Sequence, residues 1–133
     1  MKNIVNAFAA VLGVIAFAAA ADGQKTAELK AVNSVDIDRY AGRWYEIAKY
    51  PNKFQKQCVG NVTATYTRKP DGKIEVLNEC LRKDGTTDSA KGDAKIADKS
   101  SNAKLKVRFA PGFLSFLPFV WANYWIIDLD PDY

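Results

Sequence analysis

The chain has 133 residues, which is enough for one domain. With 48% hydrophobic and 26% charged residues, its composition is that of a globular protein and excludes a disordered one. The sequence has no histidine, which excludes Ser-His-Asp and Cys-His catalysis, histidine-ligated zinc and proximal-histidine haem. The formal net charge is +4, but basic and acidic residues are interspersed, so no nucleic-acid partner is predicted.

The first 21 residues are typical of a secretory signal peptide. Lys2 is their only charged residue, residues 4–20 are apolar except for Asn6, and the run ends in small alanines at 18–21. An N-terminal membrane anchor is the alternative, although the run is at the short limit for a bilayer span. We therefore expect an exported protein, with a polar leader at residues 22–34 and the folded domain at residues 35–133. No cysteine follows the apolar run, so no lipid anchor is expected there.

The remainder of the chain predicts a short helical turn followed by strands. Asp36 is placed to cap the turn and Gly42 to end it. Period-two alternation and turn residues then predict strands at residues 43–50, 59–69, 73–81, 89–97, 104–109 and 123–129. Six such strands indicate an all-β, up-and-down antiparallel sheet or barrel.

One hairpin has a sequence that fixes its register. Pro70-Asp71-Gly72 fits a three-residue loop, with glycine at the left-handed position. The pairs expected across this hairpin are Lys69 with Lys73, Tyr66 with Val76, Ala64 with Asn78, and Val62 with Cys80. A six-stranded open sheet would leave two long edges, so we expect the sequence to be a fragment of a longer barrel.

Two motifs carry a resemblance to the lipocalin family. Residues 42–48, Gly-Arg-Trp-Tyr-Glu-Ile-Ala, resemble its first signature, a Gly-x-Trp after a helical turn. Residues 130–133, Asp-Pro-Asp-Tyr, resemble its second, and residues 62–66 and 103–107 look like bacterial lipocalins of the outer-membrane-lipoprotein type. The resemblance covers residues 32–133. It implies an up-and-down lipocalin β-barrel with six of the eight strands present, and structural roles for Gly42, Trp44, Asp130 and Tyr133.

Parts of the family pattern do not occur in this sequence. The seventh and eighth strands, the third signature and the long flanking helix are missing, and so is the lipid-attached cysteine of the bacterial lipoproteins. The resemblance implies a carrier or store of fatty acid or lysophospholipid that serves membrane maintenance, located in the periplasm or at the outer membrane. It implies no cofactor, and we expect a binding protein without catalytic residues.

The inner positions of the strands predict the lining of a ligand cavity. Strand parity gives Val62, Ala64, Tyr66, Val76, Asn78, Leu105, Val107 and Phe109, and the resemblance adds Trp125. Such a channel suits an acyl chain, because each buried methylene contributes about 0.8 kcal/mol. Lys53 and Lys56 lie in the loop at residues 51–57, which is expected at the open mouth of the barrel and is called the mouth loop. They are candidates to bind a phosphate or carboxylate head group, and a solvated surface position is the alternative.

Residues 109–121 form an apolar, uncharged segment. Pro111, Gly112 and Pro118 argue against a spanning helix. Exposed apolar clusters commonly mark a membrane or partner contact, for which the candidates are Phe113, Phe116, Leu117 and Phe119. Association into a homodimer through this segment and inward packing are the alternatives, and a protein that binds a partner chain with an empty barrel is a third hypothesis for function.

The two cysteines are expected to form a disulfide if the protein is exported. Cys80 is expected opposite Val62, and Cys58 precedes Val62 by four residues, so a straight strand would place the two cysteines about 13 Å apart. A disulfide needs their Cα atoms within about 7 Å. A bend at Gly60 would close this gap. The alternative is a free thiol that acts as the nucleophile of a Cys-dependent enzyme on the same scaffold, although no histidine is present to activate it.

Overall fold

The computed structural model describes residues 28–110, 112–114 and 116–133. The predicted signal peptide and residues 22–27 of the predicted leader lie outside this part of the chain. The elements are α1 (Ile37–Tyr40), β1 (Gly42–Tyr45), β2 (Cys58–Arg68), β3 (Ile74–Arg82), β4 (Thr87–Ile96), β5 (Lys104–Arg108) and β6 (Ala122–Trp125). The six strands form one sheet in chain order with antiparallel neighbours, which confirms the predicted up-and-down arrangement. None of the helices described here is long and apolar enough to cross a membrane.

Helix α1 begins and ends at the predicted residues. The Asp36 carboxylate accepts hydrogen bonds from the backbone N–H groups of Asp38 (2.9 Å) and Arg39 (3.3 Å), as an N-cap does. Gly42 follows the helix with a φ of +119°, a conformation that side-chain-bearing residues rarely adopt. The chain can therefore turn within two residues from α1 into β1.

The first-signature residue Trp44 has a structural role at this end of the sheet. Its ring stacks on Tyr40 with centroids 4.7 Å apart, and its Nε1–H donates to the Tyr40 carbonyl at 2.9 Å. The Tyr133 ring also contacts Tyr40, with centroids 6.3 Å apart, and its hydroxyl accepts from the Asp36 N–H at 2.9 Å. The Arg39 guanidinium lies 4.5 Å from the Tyr133 ring centre. These contacts tie α1 to the end of the described chain.

The β2–β3 hairpin has most of the predicted register. Gly72 has a φ of +80°, and Tyr66 pairs with Val76. Ala64 pairs with Asn78, also as predicted. The expected pair of Val62 with Cys80 falls at a β-bulge, where the register shifts between Gly60 and Thr63 and the regular ladder is interrupted. Asn61 has a φ of +49° within this β-bulge.

Two strands are shorter than predicted, each because its neighbour ends or bulges. β1 ends at Tyr45 rather than at residue 50, since the bulge in β2 removes its partner; one further bond joins Glu46 N–H to the Val62 carbonyl at 2.9 Å. β6 ends at Trp125 rather than at residue 129. The Ile126 N–H donates to the carbonyl of Ala103 at 2.9 Å, and Ala103 precedes the first residue of β5. Beyond Ile126 the chain therefore has no β5 residue to pair with.

The core occupies the half of the sheet nearest α1. We call the face that carries the core the inner face, and its buried members include Ile74, Val76, Ala94 and Leu105. Residues of α1 belong to the same cluster. The hydrogen-bonded ion pair between Arg68 and Asp38 (2.7 Å) places α1 at the hairpin end of β2, so the Cys58 end of this strand lies at the opposite side of the molecule.

Candidate functional site

A cavity of about 620 Å³ lies at the Cys58 end of the sheet, away from α1. Its walls are formed by the loop at residues 52–58, by residues of β2–β5 and the first residue of β6, and by residues 109 and 120 of the segment between β5 and β6. The lining residues from the three central strands include Val62, Asn78, Cys80, Asp88 and Ala90. This volume is within the range of small-molecule binding sites, about 300–1,000 Å³.

The predicted lining residues divide between the cavity and the core beneath it. Val62, Asn78, Val107 and Phe109 line the cavity. The other four assigned by parity also lie on the inner face but away from the cavity wall; they are Ala64, Tyr66, Val76 and Leu105. Strand parity therefore identified the correct face of the sheet, but not the point along each strand at which the core ends and the cavity begins.

The placement of Trp125 inside the barrel is wrong. Trp125 pairs with Lys104, whose Nζ lies 4.5 Å from the indole ring centre, and the residue is 37% exposed. Its neighbour Tyr124 pairs with the buried Leu105 and occupies the inner face instead. Ile126 is apolar and buried, and residues two apart in a strand point to the same face. Alternation counted back from Ile126 therefore places Tyr124 on the inner face and Trp125 on the outer face.

Three tyrosine hydroxyls form a cluster between the core and α1. The Tyr124 hydroxyl lies 2.8 Å from that of Tyr40 and 3.1 Å from that of Tyr66. Burial is the main cause that raises the pKa of Tyr40 and of Tyr66 above the ordinary value, so both remain protonated. Tyr66 is predicted to line the cavity, but its hydroxyl is hydrogen-bonded within this cluster.

Lys53 and Lys56 lie in the mouth loop but not on the cavity wall. Both residues are exposed, and the Lys53 ammonium lies 5.4 Å from the Phe54 ring centre. The loop contributes Phe54 and Gln57 to the wall instead. Both lysines therefore lie outside the cavity wall, and their binding of a head group stays a prediction.

Asp88 is a charged residue of the cavity wall that the sequence analysis missed. It lies opposite Cys80 in the register, on the inner face of β4. The Gln57 side chain donates to it at 2.6 Å and the Arg82 guanidinium donates to it at 2.6 Å. These two bonds lower the pKa of Asp88, with Gln57 the larger cause, so the group is a carboxylate at neutral pH. Within the described residues, no cluster of histidine, cysteine and acidic side chains could hold a metal ion.

The disulfide between Cys58 and Cys80 is confirmed, with Cα atoms 5.6 Å apart. The bulge at Asn61 supplies the bend that a straight strand lacks, where Gly60 was the residue expected to allow it. Both cysteines line the cavity. Because both are bonded, the structure has no free thiol for the alternative of a Cys-dependent enzyme.

The apolar segment exposes three phenyl rings next to the cavity. Phe113, Phe116 and Phe119 are 76%, 77% and 78% exposed, whereas Leu117 is half-buried. Val120, one residue beyond Phe119, lines the cavity, and so does Phe109 at the start of the segment. The expectation of an exposed apolar surface is met by the phenylalanines but only partly by Leu117.

Trp121 anchors the end of this segment on the outer face of the sheet. Its ring lies 4.2 Å from the Lys95 ammonium and 4.8 Å from the Arg108 guanidinium. Arg108 is only 5% exposed and is hydrogen-bonded to the Asp93 carboxylate. These cation–π contacts fix the segment relative to β4 and β5.

Comparison with known proteins identifies the family. The model of the Lipocalin-like domain matches residues 35–133. The chain belongs to the lipocalin family. The resemblance seen in the two signatures is thus confirmed, and the strand order described above is the lipocalin sheet with six strands present.

Individual lipocalins are similar over most of this chain. Temperature-induced lipocalin-1 of Arabidopsis thaliana is 46% identical over 108 residues, which are 80% of this chain and 57% of that protein. Apolipoprotein D of Mus musculus is 45% identical over 96 residues, 71% of this chain and 46% of that protein. Outer membrane lipoprotein Blc of Escherichia coli (strain K12) is 37% identical over 103 residues, 77% of this chain and 54% of that protein. The chain spans about half the length of these relatives.

Proposed function

We propose that this lipocalin binds and carries a single-chain lipid, a fatty acid or a lysophospholipid, with the acyl chain in the cavity. The observation that carries the proposal is the cavity of about 620 Å³, whose lining includes Val62, Val107, Phe109 and Val120. Apolar walls favour an acyl chain, because each methylene taken from water contributes about 0.8 kcal/mol. Asn78, Gln57 and Asp88 supply polar groups nearer the mouth, where a head group would lie.

Membrane contact through the apolar segment is the second part of the proposal. Phe113, Phe116 and Phe119 are exposed beside the cavity, where they would meet a bilayer from which a lipid enters. An exported location, in the periplasm or at the outer membrane, and a role in membrane maintenance fit this picture. One relative is named an outer membrane lipoprotein, which supports this location.

Filling the cavity tests the proposal. Ala90→Trp places an indole in the cavity, whereas Lys91→Trp places the same group on the outer face one residue away. We expect A90W to weaken palmitate and lysophosphatidylcholine binding about tenfold or more, the equivalent of two methylenes left unburied. K91W should bind as the wild type does. Isothermal titration calorimetry measures both, and equal affinity of the two variants would argue against a ligand in this cavity.

The membrane contact is tested with the three exposed phenylalanines. Replacing Phe113, Phe116 and Phe119 together by serine should lower binding to phosphatidylethanolamine–phosphatidylglycerol vesicles at least tenfold, since each phenyl ring contributes about 1.5–3 kcal/mol when buried. The control is Ile47→Ser with Tyr50→Ser, because these side chains are 98% and 93% exposed outside the segment. Vesicle flotation measures binding and analytical ultracentrifugation measures mass. A change in mass with unaltered flotation would favour the homodimer, and loss of a protein complex alone would favour the interaction hypothesis.

A further inference from the structure

We infer that the mouth of the cavity selects single-chain amphiphiles whose head group carries an ammonium over those that end in a carboxylate, and that Asp88 makes this selection. The inference rests on the proposed lipid-binding function and names the head-group chemistry of the same site. Asp88 shares the inner face of β4 with Ala90 and lies on the cavity wall beside the Cys58–Cys80 bridge.

The Asp88 carboxylate has room for a further donor. Gln57 donates to one of its oxygens and Arg82 to the other, each at 2.6 Å. The Ser89 backbone N–H also donates to this carboxylate. A carboxylate offers about four acceptor positions, so one remains for a ligand. The Asp88 side chain is 26% exposed, which leaves it accessible from the mouth. An ammonium or its N–H groups would find an acceptor that is held in place and stays ionised at neutral pH.

The charges around the cavity oppose a carboxylate head group. The charged residues that line it among those described are Asp88 and Glu79, whereas the described lining includes no lysine or arginine. Lys53 and Lys56 are exposed on the loop outside the wall. Arg82 pairs with Asp88 but is 44% exposed, so the phosphate of a zwitterionic head group can join it while the ammonium meets Asp88. A fatty-acid carboxylate can also approach Arg82, but it brings no ammonium to Asp88, so it meets that fixed like charge without compensation.

Four amphiphiles with a chain of sixteen carbons separate the contribution of the head group to the affinity from that of the chain. The ligands are hexadecyltrimethylammonium, hexadecylphosphocholine, palmitate and hexadecanol. Each is titrated into the protein below its micellar concentration, and its affinity is measured from the displacement of the same fluorescent fatty alcohol. We expect the two ammonium ligands to bind about tenfold more tightly than palmitate, as for one opposite-charge contact in place of a like-charge one. Asp88→Asn should reduce this ratio to about one, because the amide keeps the Gln57 bond and loses the charge.

Matched variants assign the effect to Asp88. Asp132→Asn makes the same charge change at an exposed residue near Tyr133, at the α1 end of the molecule, and should leave the ratio unchanged. Arg82→Gln removes the competing cation and should widen the preference for hexadecyltrimethylammonium. The inference is overturned if palmitate binds the wild-type protein as tightly as the ammonium ligands, or if D88N and D132N keep the same ratio. If hexadecanol binds and only the preference is missing, this inference fails alone; if hexadecanol does not bind either, the proposed function fails with it.

Discussion

Replacing Gly92 by valine is expected to destabilise the protein by about 3 kcal/mol, near the upper end for overpacked sites. Gly92 is buried and pairs with Val76 on the inner face. A Cβ at this position would collide with the Arg108 carbonyl oxygen and would lie 2.8 Å from the Phe109 ring. A carbonyl in the backbone cannot rotate away, so the end of β5 has to move. Urea denaturation followed by tryptophan fluorescence measures the free energy of unfolding.

Ala90→Val is the matched control for this prediction. Ala90 is two residues from Gly92 on the same strand and face, but it borders the open cavity. We expect the control to change the free energy of unfolding by no more than about 0.5 kcal/mol. Equal losses for the two variants would show that valine is tolerated poorly anywhere on this strand, and that the close approach of Phe109 to Gly92 is not the cause.

The sequence predicts this fold well wherever a local signal sets the register. The Pro70-Asp71-Gly72 loop fixes the β2–β3 pairing near the turn, and strand alternation then identifies the inner face of β3 and β5. The signal fades with distance from the turn. Gly60 and Asn61 both tolerate the bend of a β-bulge, but the sequence does not fix which of them takes the positive φ, and the structure places it at Asn61. The length of β1 was misjudged for the same reason.

The candidate site was harder to predict because part of its wall lies outside the strands. Gln57 comes from a loop, where parity gives no orientation. Asp88 was missed because the fourth strand was expected to begin at residue 89, whereas β4 begins at Thr87. Extending the alternation of Ala90 and Gly92 back by one step would have placed Asp88 on the inner face. Trp125 was assigned by resemblance rather than by this alternation, and its orientation came out reversed.

Removing the Cys58–Cys80 disulfide is expected to lower the free energy of unfolding by about 3 kcal/mol, the loss of loop-closure entropy for a separation of this size. The two cysteines are 22 residues apart and join the start of β2 to the end of β3. The double variant Cys58→Ser with Cys80→Ser tests this by guanidinium denaturation. Ligand affinity should fall as well, because the bridge fixes the loop that places Phe54 and Gln57 on the cavity wall.

Reduction of the wild-type protein separates the bridge from the side chains that form it. Cys80 is 5% exposed, so serine there also leaves a hydroxyl in a buried site. Dithiothreitol opens the bridge without this change, and mass spectrometry verifies the gain of two hydrogens. If reduced wild type and the double variant unfold at similarly lowered denaturant concentrations, the cross-link itself is the source of stability. If reduced protein keeps the midpoint of the oxidised form, the Gln57–Asp88 hydrogen bond and the Gln55–Glu46 hydrogen bond (3.1 Å) suffice to hold the loop, and the stabilising role assigned to the bridge is wrong.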